Sequence, residues 1–373
     1  MNLINRKMLR DVDLLLVIAA AAAFVYGCVV LYSATYAQPS LTSADPLSIV
    51  KKQAVAGLIG LSLALSFMIV GHSILQRAHL LVYAGSVLLL IAVTLVGTRV
   101  RGALGWIRVG GFSLQPVEFV KYGIAVALAG HLARKEGPLG IAETVVPLLM
   151  AAVPTGIVIL QNDLGSALVF IPMVLAMLWA AGADTKVVLG LMAAGLFIAA
   201  PLGYFLFLDD YQKARILTFF NPGRDPFGAG YNVIQSVIGI GSGGLLGKGY
   251  TGGTQVQLGF VPEHHSDFIF TVIGEELGFI GTAIALLVLM AVIWRCLRIG
   301  MATEDRFGNL MCIGISTVMA THVAINVGMS MAIMPCTGIP LPFFSAAGSS
   351  VMATLMGLGM AQSVSMRRKK ILF

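Results

Sequence analysis

Charge is what this chain has least of. Only 11% of its 373 residues are Asp, Glu, Lys or Arg, against 58% that are apolar, and the mean hydropathy is +0.91. A soluble globular domain carries roughly 25% charged residues, so that class is excluded, and a disordered chain is excluded more firmly. Cysteine is also sparse. Cys28, Cys296, Cys312 and Cys336 stand singly, without C-x-x-C spacing, which argues against a disulfide framework or a thiolate metal site. A small-residue cleavage site is missing after the first apolar run, which follows Arg6, Lys7 and Arg10 and continues through Cys28 to Ser33. That run is expected to serve as a signal anchor rather than a removable leader.

What the chain has in quantity is apolar runs long enough to cross ~30 Å of hydrocarbon. Ten can be counted: 14–33, 54–71, 79–97, 116–133, 144–160, 166–182, 187–208, 268–294, 309–330 and 347–365. The expected fold is an all-α polytopic membrane protein, one integral-membrane domain over 1–373 with about ten transmembrane helices. Between the seventh and eighth runs lies a long polar, glycine-rich loop, 209–267. It closes on Glu263-His264-His265-Ser266-Asp267, immediately before what reads as an uninterrupted apolar span. Long loops on a rigid scaffold are where chemistry concentrates.

Lys and Arg set the orientation. With the N-terminus inside, the inner segments hold 14 of the 24 cations, ending in the Arg367–Lys370 cluster. The outer loops hold nine: Lys51, Lys52, Arg99, Arg101, Arg108, Lys213, Arg215, Arg224 and Lys248, while Lys121 lies within a span. Both termini are therefore expected in the cytoplasm, with the 209–267 loop facing out. The net charge of +7 then reads as inner-leaflet anchoring on membrane lipids rather than a nucleic-acid footprint.

The outer cations run against that bias, and Arg99, Arg101 and Arg108 crowd one short connection, 98–114. Two readings stand: they hold an anion such as phosphate, or they pair with Asp209, Asp210, Asp225 or lipid headgroups. The next span opens Gln115-Pro116-Val117-Glu118, and Glu118 and Lys121 fall at i, i+3 on one helical face. They form either a neutralised structural bridge or the wall of a polar, outward-opening cavity; intramembrane charge favours the cavity. Asp163 stands on the same side and either faces that cavity or caps the following helix. Gly239-Ile-Gly241-Ser-Gly-Gly244 matches G-x-G-x-x-G, but no βαβ pattern surrounds it, so a nucleotide site is rejected. These glycines instead predict tight turns and close helix approach. His264 and His265 with Glu263 and Asp267 leave a divalent metal as an open option, against plain hydrogen-bonded structure.

Several motifs together resemble the SEDS family (shape, elongation, division and sporulation). They are Gln115-Pro-x-Glu118-x-x-Lys121, Asp163-Leu-Gly165, Asp210-Tyr-Gln212-Lys-Ala-Arg215, Gly253-Thr-Gln255, Pro262-Glu-His-His-Ser-Asp267, Glu275-Glu-Leu-Gly278, Asn326-Val-Gly328 and Leu341-Pro342. The resemblance covers essentially the whole chain. Gly338-Ile-Pro-Leu-Pro342 and the loop Gly253–Gly259 resemble the elongation branch rather than the division branch. Three positions depart from the family pattern: Gly105 before Trp106, Asn162 before Asp163, and Ser345-Ala-Ala-Gly348.

The resemblance implies a peptidoglycan glycosyltransferase that polymerises lipid II, working with a class B penicillin-binding protein (a PBP2-type transpeptidase). It implies Asp267 as the catalytic base. It implies a substrate site drawn from Lys52, Arg101, Trp106, Arg108, Gln115, Glu118, Lys121, Asp163, Gln212, Arg215, Lys248, Glu263 and Ser345. The chemistry is coherent. Pyrophosphate leaves without an acid's help, so one carboxylate can suffice where a glycosidase uses two. Glu263, four residues before Asp267, would keep it basic by like-charge repulsion if the turn is helical. The competing class is a flippase of the same lipid, which ten spans and mobile glycines also suit. The ionisable residues gather at the outer third rather than at the midplane, and that depth favours chemistry.

Overall fold

The structure, a computed structural model, describes residues 11–37, 45, 47–100, 103–109, 112–135, 137–206, 213, 217–219 and 230–367. Within these, helices fall on all ten apolar runs. They are α1 (Leu14–Tyr36), α2 (Ser48–Val70), the short α3 (His72–Arg77), α4 (His79–Val96), α5 (Pro116–Leu132), α6 (Ile141–Leu160) and α7 (Leu164–Ala180). There follow α8 (Thr185–Ala194), a π turn (Gly195–Ala199) and α9 (Ala200–Leu206), then α10 (Tyr231–Gly243) and α11 (Thr254–Gln257) within the long loop. The chain ends with α12 (Ile269–Met301), α13 (Arg306–Ser330) and α14 (Gly348–Arg367). Among the described residues, seven helical stretches are long and apolar enough to cross a membrane. Among these α13 lies deepest, with 72% of its apolar window buried, whereas Thr185–Phe205 stands at the rim with 6%.

The connection 98–114 is not plain loop. It folds as an antiparallel meander of β1 (Thr98–Val100), β2 (Ala103–Val109) and β3 (Phe112–Leu114). An all-α expectation misses it because β1 and β3 are only three residues long and the seven residues of β2, Ala103–Val109, do not alternate apolar with polar. The Leu104 N–H donates to the Gln161 carbonyl at 2.8 Å, tying the meander to the α6–α7 turn.

The span after Asp267 is not uninterrupted either. Gly278 breaks α12 at φ 65 and ψ −160. The break orphans backbone groups that a membrane interior leaves no water to satisfy. The long loop supplies partners on both sides. Lys248 and Gly249 donate to the carbonyls of Glu275 and Glu276 (2.9 and 3.1 Å), and Phe279 and Ile280 donate to Gly244 and Leu245 (2.9 and 3.2 Å). Such contact requires glycine: a Cβ on Gly243 would fall 1.9 Å from the Gly274 carbonyl, and one on Gly247 2.1 Å from that of Glu276. The glycine-rich stretch therefore permits close helix approach, as its composition predicts.

Polar contacts sort to two ends. At one, Arg295 pairs with Asp13, His72 Nε2 meets Asp305 at 3.2 Å, and Arg367 reaches the Ile69 carbonyl at 2.9 Å. The other gathers Gln115, Asp163, the Val261–Asp267 turn and the α13–α14 connection.

Candidate active site

Proline at the first position of α5 loses no helical hydrogen bond, and one turn later Glu118 and Lys121 enter the interior. They are 3% and 0% exposed and meet at 2.7 Å. Charges so deep persist only when paired and hydrogen-bonded. His322, on α13, completes the cluster: its Nε2 stands 3.0 Å from Lys121 Nζ and its Nδ1 3.3 Å from the Pro340 carbonyl. A carbonyl only accepts, so Nδ1 carries the proton and Nε2 offers its lone pair to the ammonium. Sequence reasoning did not single out His322; its one signal was a histidine inside an apolar run.

Four residues on, along the same face of α13, Asn326 Nδ2 donates to the carbonyls of Asp267 and Ile339, both at 2.8 Å. The neighbouring carbonyls are held as well. Ser345 Oγ donates to Ser266 at 2.6 Å and accepts from the Leu341 N–H at 2.9 Å, and the Ala346 N–H donates to His265 at 2.9 Å. Asp267 itself is half-buried, two residues before α12 begins. The turn before it is not α-helical, because Ser266 and Phe268 both donate to the Glu263 carbonyl (3.3 and 3.0 Å). The Glu263 carboxylate accepts from Ser266 Oγ at 2.9 Å, so the helical condition for repulsion on Asp267 is not met.

Asp163 takes the capping role. One carboxylate oxygen caps α7 by accepting from the Ser166 N–H at 3.0 Å, and the other accepts from Gln115 Nε2 at 2.9 Å. Burial pushes its carboxyl above the usual range, against the pull of the Ser166 N–H and the Lys121 charge. Gly165 packs on the segment that leads back to Asp267: a Cβ there would sit 2.5 Å from the Thr337 carbonyl. Residues 337–340 thus run between the α7 cap, His322 and the Asp267 turn.

The cations are placed differently. Lys248 pairs with Glu275 at 2.7 Å and donates to Thr254 Oγ1 at 2.7 Å, so it is committed to the loop's anchorage. Lys52 is exposed at the start of α2, beside Gln53, whose amide donates to the carbonyls of Phe343 and Ser345 (3.2 and 3.0 Å). Trp106 is half-buried on β2, and Arg99 and Arg108 are exposed on the meander. Arg101, Gln212 and Arg215, with Asp209, Asp210 and Asp225, lie outside the described residues. The structure therefore brings together Asp267, Glu263, Ser345, Asp163, Gln115, Glu118 and Lys121, and sets Lys248 apart against α12. For the metal option, His264 presents its ring nitrogens to the carbonyls of Val261 and Ala34. Among the described residues no three His, Cys, Asp or Glu side chains converge as a metal site.

Apolar helices around a polar seam at one end define an integral membrane protein with an internal polar site. Comparison with known proteins sharpens that class. The sequence profile of the cell cycle protein family FtsW/RodA/SpoVE matches residues 13–370. The chain is 33% identical over 371 residues, 98% of each chain, to a Geobacter metallireducens protein named probable peptidoglycan glycosyltransferase FtsW. It is 36% identical over 290 residues, 78% of each chain, to the Escherichia coli K12 peptidoglycan glycosyltransferase MrdB. Among solved structures it resembles Thermus thermophilus rod shape determining protein RodA, with a TM-score of 0.71 and 29% identity over 96% of this chain and 98% of that one. It also resembles a chain from a study of polymerization and crosslinking by a peptidoglycan synthase complex, with a TM-score of 0.79 and 33% identity over 96% and 98%. The chain belongs to the FtsW/RodA/SpoVE family, and its class of activity is peptidoglycan glycosyl transfer.

Proposed function

We propose that the chain polymerises lipid II into glycan strands on the outer face of the cytoplasmic membrane, with Asp267 as general base. The chain crosses ten times with both termini inside, and the 209–267 segment faces out between the seventh and eighth crossings. Asp267 takes the proton from the attacking sugar hydroxyl; that oxygen bonds to the anomeric carbon of the other substrate, and the bond to lipid pyrophosphate breaks with its electron pair. A single in-line step inverts the anomeric centre. Cations of the 98–114 connection, Arg101 and Arg108 among them, stabilise the charge on the departing pyrophosphate. Lys121 and Glu118 shape the cavity without exchanging protons, and Asp163 and Gln115 extend its wall.

The observation that carries this reading is the seam on α13, where His322 meets the buried Lys121–Glu118 pair and Asn326 meets Asp267. It ties Asp267, at the end of the Val261–Asp267 turn, to the intramembrane polar cluster. Gly338–Pro342 supports the elongation branch, in which a class B penicillin-binding protein crosslinks the product. The purified chain, with such a partner lacking transglycosylase activity, is expected to convert lipid II into glycan strands. Translocation of lipid II across vesicles without polymer would return the flippase reading.

A further inference from the structure

Asn326 lies fully buried within the apolar helix α13. An amide there is unfavourable unless its hydrogen bonds are made. Among the described residues its Oδ1 has no hydrogen-bond partner, whereas its nitrogen makes two hydrogen bonds. That nitrogen joins two carbonyls distant in sequence, Asp267 at 59 residues and Ile339 at 13. Three successive carbonyls, of His265, Ser266 and Asp267, are held by Ala346, Ser345 and Asn326 in turn. Of these donors, Asn326 holds the residue that bears the carboxylate. It also holds the segment flanking that carboxylate. Gly338 has φ +73, where side chains are strained, and a Cβ there would stand 3.4 Å from Asp267 Oδ2.

We propose that Asn326 is a positioning residue for Asp267: its buried amide ties the Asp267 carbonyl to the Ile339 carbonyl and so sets the carboxylate against Gly338. The inference rests on Asp267 acting as the base. With the backbone fixed on both sides of the contact, only the two side-chain torsions of Asp267 remain to be set. Freed from the tie, the turn can shift while the cluster at Glu118 and the outer cations stay in place. Turnover would then suffer and substrate binding would not. A misplacement of about 1 Å is enough to cost on the order of 10²-fold in rate.

Two variants of the full chain in its penicillin-binding-protein complex test this. Asn326→Leu removes the donor at similar volume, and Asn326→Asp keeps the shape but replaces the donating nitrogen with oxygen. Initial rates over a lipid II series should show kcat lower by roughly 10- to 100-fold, with KM within about threefold and the complex folded and assembled. A purely structural role would instead lower the folded fraction and leave the surviving enzyme's kcat unchanged. Asp267→Asn in the same assay separates the two claims. If Asp267→Asn polymerises at the wild-type rate, the base assignment fails whatever Asn326 does. If Asp267→Asn is inactive while a folded Asn326 variant keeps wild-type kcat, the positioning role alone is overturned. Failure of both Asn326 variants to fold would make the residue structural and overturn it too.

Discussion

Three carboxylates stand between Asp267 and Glu276, and the fold treats them in opposite ways. Glu275 is fully buried and accepts from Lys248 Nζ, Thr254 Oγ1 and the N–H groups of Gln255 and Val256 at 2.7, 3.2, 2.8 and 3.0 Å. Glu276, 1% exposed, accepts from Ser33 Oγ, the Thr251 N–H and Gln257 Nε2. Their lone pairs go to pinning residues 248–257 and the end of α1 onto the kinked helix. Asp267 is half-buried, and Asn326 holds its backbone carbonyl. Full enclosure separates the structural pair from the acid proposed for the chemistry. By that criterion Glu118, 3% exposed and paired with Lys121, belongs with the structural pair.

The largest loss of stability is expected where charge is most deeply enclosed. Lys121→Ala or Glu118→Ala strands the partner charge at a cost of roughly 3–5 kcal/mol, and thermal unfolding of the purified protein should register it. Replacing both by a neutral hydrogen-bonding pair should recover folding better than activity. Full stability in the single variants would sever the cluster from the structural class. A smaller loss is expected at Glu276→Gln. The new amide turns a donor toward one of its present donors, costing about 1–3 kcal/mol. Amide exchange should quicken over Gly249–Val256, while polymerisation per folded molecule holds. Unchanged exchange there would show that Glu276 is not what anchors the segment.

The smallest effect is a pH dependence at Asp163. Its carboxyl is raised above the unfolded value of about 3.9, so in that interval the folded chain binds more protons than the unfolded one. The contribution to stability is therefore greatest in acid and is lost as pH rises through the raised value. Asn caps a helix about as well, so Asp163→Asn should keep α7 and flatten that slope in a series of melting curves. A slope that survives the substitution would assign it to another group.

Much of this arrangement was legible in the sequence. The apolar runs marked the helices, i, i+3 spacing marked Glu118–Lys121, and Asp163 before Leu164 marked a cap. What escaped depends on partners far along the chain or on single residues. His322 meets Lys121 across 201 residues, and Asn326 meets Asp267 across 59; neither leaves a periodic trace. The break at Gly278 was hidden for a related reason. An apolar run with three scattered glycines, Gly274, Gly278 and Gly281, still reads as helix, and the loop backbone that makes the break at Gly278 tolerable is supplied from 244–249. The meander at 98–114 escaped because two of its strands are three residues long and its central strand, Ala103–Val109, does not alternate.

The central claim is that Asp267 performs the chemistry and the fold does not depend on its charge. The direct measurement is glycan strand formation from lipid II by purified, partner-bound Asp267→Asn, normalised to folded protein by its melting curve. The account predicts an unchanged melting temperature and a rate lower by ~10² to 10⁴. An Asp267→Asn enzyme that polymerises at close to the wild-type rate would contradict it.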